Sequence, residues 1–545
     1  MVNRKRTVSL CAGAALAALG GADPACAQPV SVTPGTLPAV ATIDERYLSY
    51  NVEMAEVIGG KFWKPYGAAA GDAASASQTA PAASAPAPSG LDSGGQQAGQ
   101  DPSMFQARPP IDLANARLRR LAAALGPAYV RISGTWANSA YFQDSDAPAP
   151  ATAPDGFQGV LTRAQWKGAV EFARAADARI VTSFAISKGV RNAAGAWTPD
   201  QAAKLLAYTK SVGGEVAAAE FFNEPTMAEY GGAPAGYDAA AYARDYAVFR
   251  SFTATVPGLR TVNPATVGED GLIQDGRMMG GSVLRTDDLL SATPRPVSDI
   301  FSYHFYGAAS IRCASLGQGT QTTEAAALSE EWLARADRSF AFYGARRDRF
   351  EPGKPVWITE IADAACGGNP WAATFLDSFR FLDQLGRLAR HGVDAVFHNT
   401  FAASEYGLVE QDTFAPRPNY WAALLWRQLM GTTVLDAGSR SGDLHLYAHC
   451  LRGQPGGVAL LAINASRTGP ASIALPMPAE RYTLAAAGRG LEDAHVRLNG
   501  NELALGADDA LPGLRGSRMP PGPVELAPAT ITFLTVAEAG NSVCR

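Results

Sequence analysis

The sequence predicts an α/β protein in which a (β/α)8 barrel is followed by an antiparallel β-sandwich. Eight short apolar runs alternate with amphipathic helical patterns across residues 44–430, and this alternation is typical of a parallel sheet covered by helices. No GxGxxG motif follows the first run, which disfavours an open dinucleotide-binding sheet. Beyond residue 431 the pattern changes to period-two runs broken by Gly and Pro, as in short antiparallel strands.

The predicted barrel strands are short apolar runs, each followed by a longer polar or amphipathic stretch. They are residues 47–53, 128–133, 179–185, 217–222, 260–263, 299–304, 356–360 and 394–399. The helical patterns between them are residues 113–125, 163–176, 199–212, 239–255, 323–343 and 370–391. Eight strand-helix units of this length fit a closed barrel with sizeable loops.

The C-terminal region, residues 431–545, predicts a β-sandwich. Its period-two runs are residues 444–451, 457–464, 471–475, 482–486, 496–499 and 530–536. We expect the N-terminal segment 28–43 to add a strand to this domain before the barrel begins at residue 44.

Composition and charge define the class of protein. The chain has 545 residues, of which 47% are hydrophobic and 18% charged, so it is long enough for two packed domains. Its formal net charge of -5 excludes the strongly basic balance of proteins that coat nucleic acid. Residues 67–109 consist mainly of Ala, Ser, Pro, Gly and Gln, and we predict a disordered insertion in a barrel loop there.

The N-terminus has the order of a secretory signal peptide. A basic start with Arg4, Lys5 and Arg6 is followed by an apolar run over residues 7–20 and a small-x-small sequence ending at Ala27. We therefore expect residues 1–27 to be removed and the protein to be secreted or periplasmic. A single N-terminal membrane anchor is the alternative, although the apolar run is short for that role. We expect no other membrane segment.

Export would make the cysteines candidates for disulfides. Without the signal peptide the chain keeps Cys313, Cys366, Cys450 and Cys544, and four cysteines allow three connectivities. We expect Cys313 to pair with Cys366, joining two barrel loops, and Cys450 to pair with Cys544, tying the C-terminus to the sandwich. No Cys or His spacing suggests a zinc site, and we expect neither a metal nor an organic cofactor.

Two glutamates end predicted barrel strands, where the active sites of such barrels lie. The fourth strand is followed by Asn223-Glu224-Pro225, and the seventh ends at Glu360. Two carboxylates about 5 Å apart are the requirement for retaining glycoside hydrolysis, one as proton donor and one as nucleophile. Alternatively, Glu224 is an acidic residue at a helix N-terminus before a first-turn proline, and Glu360 is a solvated strand end.

Six segments in order along the chain carry a resemblance to a known family. They are Tyr47-Leu-Ser-Tyr-Asn-Val-Glu53, Ala128-Tyr-Val-Arg-Ile-Ser-Gly-Thr135, Phe221-Phe-Asn-Glu-Pro225, Ser302-Tyr-His-Phe-Tyr306, Trp357-Ile-Thr-Glu360 with Cys366-Gly-Gly368, and Tyr406-Gly-Leu-Val-Glu410 with Pro418-Asn-Tyr-Trp421. Together they resemble glycoside hydrolase family 79, the family of heparanase and β-glucuronidases. The resemblance implies a barrel with a β-sandwich, a retaining mechanism and β-linked glucuronic acid at the cleaved position.

The resemblance also implies catalytic roles. Glu224 matches the acid/base and Glu360 the nucleophile. Asn223 would bond the sugar 2-hydroxyl, a contact that strengthens in the transition state. Tyr306 would hold the Glu360 carboxylate through its hydroxyl, although a purely structural aromatic residue is the alternative.

Other matching positions would bind the sugar. The backbone N–H groups of Gly367 and Gly368 would receive the substrate carboxylate, Tyr406 matches a tyrosine beyond strand eight, and Glu53 matches an acidic residue that contacts the sugar. The sequence departs from the family at two places: Ala55 stands where an Asn is expected, and Cys366 replaces a Tyr before the glycine pair. The second change removes one hydroxyl contact to the substrate carboxylate.

Basic residues follow several predicted strands. Lys61, Lys64, Lys188, Arg191 and Arg312 would form a cationic rim suited to a sulfated or uronic-acid polysaccharide. The alternative is that they are ordinary solvated loop residues.

The sequence therefore predicts a secreted, monomeric, retaining β-glucuronidase that acts on a glucuronic-acid-containing polysaccharide or glycoside, with endo cleavage of heparan sulfate as one form of that activity. Two alternatives stay open: a related barrel glycosidase acting on a neutral glycan such as xylan or glucan, and a catalytically inactive carbohydrate-binding protein.

Overall fold

A computed structural model of the chain describes residues 29–66, 102–273, 277–278, 281–316, 320–438 and 442–545. The predicted signal peptide lies outside the described residues, as does most of the predicted insertion, residues 67–101. Among the helices that are described, none combines the length and the apolar character needed to cross a membrane.

Eight parallel strands form a closed barrel, which confirms the predicted fold class. In chain order, barrel strands 1 to 8 are Leu48–Glu53, Ala128–Ser133, Ala178–Ser183, Val216–Glu220, Arg260–Val267, Ile300–Ala309, Val356–Ala365 and Ala395–His398. Each strand pairs with its neighbours in sequence, and strand 8 pairs with strand 1 to close the barrel. Strands 5, 6 and 7 run several residues further than their apolar runs predict, towards the end where the candidate site lies.

The helices cover the outside of the barrel. They are Met54–Ile58, Ala116–Ala124, Arg163–Ala175, Asp200–Ser211, Ala239–Thr253, Thr286–Ser291, Glu330–Leu333, Arg335–Phe350, Phe375–Arg390 and Pro418–Leu429. The single helix predicted over residues 323–343 is wrong, because a 3-10 turn at Glu324–Ala326 precedes two separate helices. Ser329 accepts a hydrogen bond from the Trp332 N–H and so begins the first of them.

A short hairpin follows barrel strand 1 and corrects the predicted extent of the insertion. Strand Gly60–Trp63 pairs antiparallel with strand Phe105–Arg108, so the last part of the 67–109 segment has regular structure. The Phe105 ring stacks on Trp63 with centroids 4.6 Å apart. Composition alone missed this strand because one aromatic residue supplies most of its apolar contact.

The C-terminal region forms two sheets packed against each other. The nine-stranded sheet contains Ala39–Thr42, Met430–Leu435, Leu444–Leu451, Val458–Asn464, Ala479–Ala486, Val496–Leu498, Asn501–Glu502, Ser517–Met519 and Thr530–Val536. The three-stranded sheet contains Val30–Ser31, Ala471–Leu475 and Gly522–Leu526. The N-terminal segment thus gives one strand to each sheet. Two small ribbons, Ala140–Gln143 with Gly159–Thr162 and Arg277–Met278 with Gly281–Ser282, complete the strands.

A buried polar cluster joins the two domains. Asp383, on helix Phe375–Arg390, accepts hydrogen bonds from His445 Nδ1 at 2.6 Å and the Tyr447 hydroxyl at 2.5 Å, both on a sandwich strand. Arg387 Nε binds the same carboxylate at 2.5 Å. Because a buried charge is costly without partners, these contacts fix the sandwich against the barrel.

Both predicted disulfides are present. Cys313, after barrel strand 6, is bonded to Cys366, after strand 7, with Cα atoms 6.5 Å apart. Cys450, on a sandwich strand, is bonded to Cys544, one residue from the C-terminus, with Cα atoms 5.2 Å apart.

Removing the second disulfide should destabilise the protein without touching the barrel. Replacing Cys450 and Cys544 together by Ser frees a loop with a sequence separation of 94 residues, and we expect a loss of roughly 2–4 kcal/mol in the free energy of unfolding. Urea unfolding of the wild type and of the double variant, with and without reductant, measures this loss of stability. An unchanged midpoint, or free thiols in the unfolded unreduced wild type, would contradict the assignment.

Candidate active site

A cavity that is open to solvent lies at the carboxyl end of the barrel strands. Glu224 and Glu360 both line it, together with Glu53, Tyr306 and Tyr406. One carboxylate oxygen of Glu224, one of Glu360 and a ring nitrogen of His304 all lie within 4.8 Å of one another. This oxygen–oxygen distance is compatible with the about 5–5.5 Å between the carboxyl groups of a retaining mechanism and favours it over the roughly 6.5–9.5 Å of an inverting one.

The backbone around Glu224 is held in an unusual conformation. Glu224 has φ 51° and ψ 65°, in the left-handed region that non-glycine residues rarely adopt. The preceding Asn223 is fixed by Asn138, whose side chain accepts from the Asn223 N–H at 2.8 Å and donates to its carbonyl at 2.9 Å. Pro225 then starts a 3-10 turn. This local strain directs the Glu224 side chain into the cavity instead of along a helix.

Both oxygens of the Glu360 carboxylate have partners. The hydroxyl of Tyr306 donates to Oε1, and Asn399 Nδ2 lies 3.4 Å from the same oxygen. Arg131 Nη1 donates to Oε2 at 2.9 Å. Glu360 is only 6% exposed, so its orientation is set by neighbours from barrel strands 2, 6 and 8.

Arg131 is the centre of the buried polar network. Its guanidinium is completely buried and binds Glu220 through Nε and Nη2, the latter at 2.8 Å. Nη2 also donates to Asn223 Oδ1 at 2.7 Å. Burial alone would raise the pKa of Glu220, but the charge of Arg131 and the contact with His304 hold it at about 2. Glu220 is therefore a permanent counter-ion.

His304 lies between the two candidate catalytic groups. Its Nδ1 is 3.0 Å from Glu224 Oε1 and 3.6 Å from Glu360 Oε2. Burial alone would lower the pKa of His304, but the charge of Glu360 and the hydrogen bonds to Glu220 and Glu224 raise it to about 9. The imidazole is therefore protonated at neutral pH and donates to Glu224.

Glu224 and Glu53 both have raised pKa values. For Glu224 the causes are burial and the charge of Glu360, and the hydrogen bond from His304 partly opposes them. For Glu53 burial and then the charge of Glu360 raise the pKa well above its usual range. These raised pKa values favour the protonated form of both carboxyls, which is the form a general acid requires.

The predicted glycine pair has a different setting from the one expected. Gly367 and Gly368 follow barrel strand 7 with φ near +80°, but the Gly368 N–H donates to the Ala364 carbonyl at 3.2 Å. The cavity is lined by Ala365 and Cys366 instead of by the two glycines. In this conformation Gly368 does not offer its N–H to a ligand, because a tight turn already uses it.

The predicted cationic rim is not found at the cavity. None of Lys61, Lys64, Lys188, Arg191 and Arg312, all of them described, lines it. Arg191 is 5% exposed and paired with Asp245 at 2.8 Å, Lys188 is exposed and paired with Asp155 at 3.2 Å, and Arg312 stacks over the Tyr66 ring at 4.0 Å. Loop position alone could not show that local acids and an aromatic ring engage Lys188, Arg191 and Arg312.

Glu224, His304 and Glu360 also have the composition of a metal-ligand set. They fit a metal ion poorly, because a ligating histidine must be neutral whereas His304 takes a proton between carboxylates. In addition, the positively charged guanidinium of Arg131 already donates a hydrogen bond to Oε2 of Glu360.

Sequence reasoning missed the supporting residues Arg131, Glu220, His304 and Asn399. Three of them are ionisable residues inside otherwise apolar barrel strands, and that is the signal that could have identified them. A charged side chain in such a strand needs a buried partner, and only another inward-facing strand supplies one.

Comparisons with known proteins agree with this geometry. The sequence profile described as Glycosyl hydrolase family 79, N-terminal domain, matches residues 107–386. The chain is 28% identical to Heparanase-like protein 1 of Arabidopsis thaliana over 65% of each chain. It is 34% identical to Heparanase of Gallus gallus over 35% of this chain and 40% of that protein, and 30% identical to Inactive heparanase-2 of Homo sapiens over 36% and 37%. These matches span less than two thirds of each relative.

Solved structures share the fold. A 4-O-alpha-L-rhamnosyl-beta-D-glucuronidase from Fusarium oxysporum superposes with a TM-score of 0.61 at 14% identity, over 93% of this chain and 100% of that one. A GH51 arabinofuranosidase from Xanthomonas axonopodis pv. citri gives 0.55 at 14% identity, over 91% and 97%. Since the family profile matches residues 107–386, just over half of the sequence, the chain belongs to glycosyl hydrolase family 79.

Proposed function

We propose that this protein is a retaining β-glucuronidase that hydrolyses β-linked glucuronic acid in a glycan or glycoside. The observation that carries the proposal is the pair of carboxylates, Glu224 and Glu360, whose oxygens lie within 4.8 Å of each other in one open cavity. The relatives named heparanase support the choice of glucuronic acid.

In the first step Glu360 attacks the anomeric carbon while Glu224 gives its proton to the leaving oxygen. The C–O bond to the leaving group breaks, and a covalent ester forms between the sugar and Glu360. Tyr306 and Arg131 bind the Glu360 carboxylate and hold it in one orientation during the attack. Asn223 accepts from Arg131 through Oδ1, so its amide nitrogen is left to donate to the sugar 2-hydroxyl.

In the second step Glu224 removes a proton from water, which attacks the ester and releases Glu360. The same charge that raises the pKa of Glu224 in the free enzyme is absent from the ester, because Glu360 is then neutral. The pKa of Glu224 therefore falls when a base is needed and rises again when Glu360 is released. One residue thus serves as acid and as base.

A neutral β-glycan is the second candidate substrate, because no Lys or Arg is among the described residues that line the cavity. The Gly368 N–H is engaged with Ala364, and Cys366 offers no hydroxyl. We prefer glucuronic acid because family membership favours it. An inactive binding protein, as one relative is named, is disfavoured because both carboxylates are present and supported by a complete network.

We also propose that the protein is exported and acts as a monomer. Its two disulfides are of the kind that persists in an oxidising compartment, and the N-terminal sequence has the order of a signal peptide.

Replacing Glu224 and replacing Glu360 should affect turnover differently, and the two effects should depend differently on the leaving group of the substrate. Glu360→Ala should abolish turnover of every aryl glycoside, and azide should restore formation of the α-glycosyl azide. Glu224→Gln should lose roughly 10²–10⁴-fold on poor leaving groups and much less on activated ones, because only the former need the proton. Glu331→Gln, an exposed surface acid, is the control. Equal losses for Glu224→Gln on both substrate classes would contradict the acid assignment.

A panel of aryl β-glycosides should separate the two candidate substrates. We expect 4-nitrophenyl β-glucuronide to exceed the corresponding glucoside and xyloside in kcat/KM by roughly 100-fold or more, because the relatives named heparanase favour glucuronic acid as the cleaved sugar. A preference for the glucoside or xyloside would replace glucuronic acid with a neutral sugar and leave the retaining mechanism unchanged.

His304 should control the alkaline limb of the pH profile. The acid form of Glu224 exists below its raised pKa and is lost as the pH rises through it, so kcat/KM falls at alkaline pH. The hydrogen bond and charge of His304 lower that pKa. His304→Gln should therefore move the alkaline limb to higher pH, whereas His495→Gln, exposed on the sandwich, should not. A downward shift would refute this role.

A further inference from the structure

The disulfide between Cys313 and Cys366 lies at the catalytic cavity, and the proposed mechanism does not use it. Cys366 lines the cavity, whereas Cys313 is completely buried. Both sulfur-bearing residues belong to one buried cluster with Trp63. Trp63 is part of the aromatic side of the cavity, which also contains Phe62, Phe105 and Trp136. The disulfide therefore connects the loop after barrel strand 6 to a surface that a substrate would contact.

The backbone after barrel strand 7 makes a tight turn in a conformation that needs support. Cys366, Gly367 and Gly368 have φ values of 65°, 81° and 84°. Glycine adopts such values readily, but a residue with a side chain does so at a cost in energy, and keeps them only where its surroundings enforce them. Cys366 is therefore the strained member of this turn, and its bond to Cys313 is a covalent restraint on it.

Hydrogen bonds restrain the other two residues of the turn. Ser404 Oγ donates to the Gly367 carbonyl at 2.8 Å. Ser310 Oγ donates to the Gly368 carbonyl at 2.7 Å. Ser310 lies in the same loop as Cys313, whose N–H donates to the Ser310 carbonyl at 2.9 Å. The disulfide thus holds the loop after strand 6 and the turn after strand 7 in the arrangement in which these hydrogen bonds form.

The turn packs between two aromatic residues of the cavity. A Cβ built on Gly367 would lie 2.6 Å from Trp63 Cβ, and one built on Gly368 would lie 3.1 Å from Tyr406 Cδ1. Trp63 and Tyr406 both line the cavity, and the two glycines lie directly against them. A displacement of the turn would therefore change the shape of the surface that receives a sugar ring.

We propose that the Cys313–Cys366 disulfide is a positioning element of the catalytic cavity, and that it is open to reduction through the cavity itself. The intact bond keeps the turn in place against Trp63 and Tyr406. Reduction releases Cys366 from its strained conformation, and both rings lose their support. The two catalytic glutamates keep their own partners, so the loss falls mainly on substrate binding. This inference rests on the proposed function, because turnover of a β-glucuronide is one of its readouts.

The reduction is an ordinary thiol–disulfide exchange with a small dithiol such as dithiothreitol. Its thiolate enters the open cavity and attacks the sulfur of Cys366, the S–S bond breaks, and Cys313 leaves as a thiolate that takes a proton from water. The second thiol of the reagent then attacks the mixed disulfide and releases Cys366. The products are two protein thiols and the oxidised, cyclic reagent. A ligand that fills the cavity should block this route.

A kinetic test isolates the disulfide from its partner in the sandwich. In the Cys450→Ser/Cys544→Ser variant, dithiothreitol acts on Cys313–Cys366 alone among the disulfides of the described residues. There it should lower kcat/KM for 4-nitrophenyl β-glucuronide by roughly tenfold or more, mostly through a higher KM, and re-oxidation should restore it. The matched control, Cys313→Ser/Cys366→Ser, should have the lower value with and without reductant.

The urea midpoint of each form separates positioning from stability. A purely structural role would lower the midpoint and leave the KM of the folded enzyme unchanged. An unchanged KM in the reduced, folded protein would therefore overturn the proposal.

A protection experiment tests the route through the cavity. Glu360→Ala does not turn over the glucuronide in the proposed mechanism, so it can be held saturated. With 4-nitrophenyl β-glucuronide at four or more times its Kd, reduction of Cys313–Cys366 should slow by roughly fivefold or more. Reduction of Cys450–Cys544, in the sandwich, should keep its rate. Equal slowing of both disulfides, or of neither, would overturn the route through the cavity.

Hydrogen exchange keeps the positioning role testable without turnover. In the variant that lacks the sandwich disulfide, reduction should accelerate amide exchange over residues 364–369 by roughly tenfold or more. The Gly368 N–H, which donates to the Ala364 carbonyl, lies in this segment. The sandwich strand Val458–Asn464 is the control and should not change. Unchanged exchange over residues 364–369 would overturn the positioning role. If the wild type does not turn over the glucuronide, the proposed function is refuted, and the exchange result decides the positioning role alone.

Discussion

The buried guanidinium of Arg131 is the interaction on which the site depends. It binds Glu220, Asn223 and Glu360 at once, and so joins three barrel strands that are far apart in sequence. A buried cation without partners would be strongly destabilising, whereas one with several charge-assisted hydrogen bonds fixes the geometry of all of them. The fork shape of arginine matters here, because lysine could not hold Glu220 through two nitrogens while also binding Glu360.

The network also balances charge around the cavity. Glu53 and Glu224 have raised pKa values, whereas Glu220 stays ionised with a pKa of about 2 and His304 is protonated with a pKa of about 9. Two cationic side chains, Arg131 and His304, thus lie among the glutamates of the site. In the proposed mechanism, loss of the Glu360 charge in a covalent ester removes one of the causes that raise the pKa of Glu224.

The two sides of the cavity differ in chemical character. An aromatic side, supported by Gly367 and the Cys313–Cys366 disulfide, faces an aliphatic side next to the proton donor. At Cys366 the disulfide to Cys313 lies in the same buried cluster as Trp63.

The sequence alone determined the barrel and the two glutamates at strand ends, because strand periodicity and short motifs are local properties of the chain. It left three pairings open for the four cysteines, and the structure confirms the expected one. It overextended the insertion at Phe105–Arg108 and placed a cationic rim that the cavity lacks. The partners of Arg131, His304 and Gly367 were decided only by the tertiary structure. Closure of the barrel sets the distances between strands. Those distances determine which buried charges meet, which N–H group a turn already uses and which ring packs on a glycine.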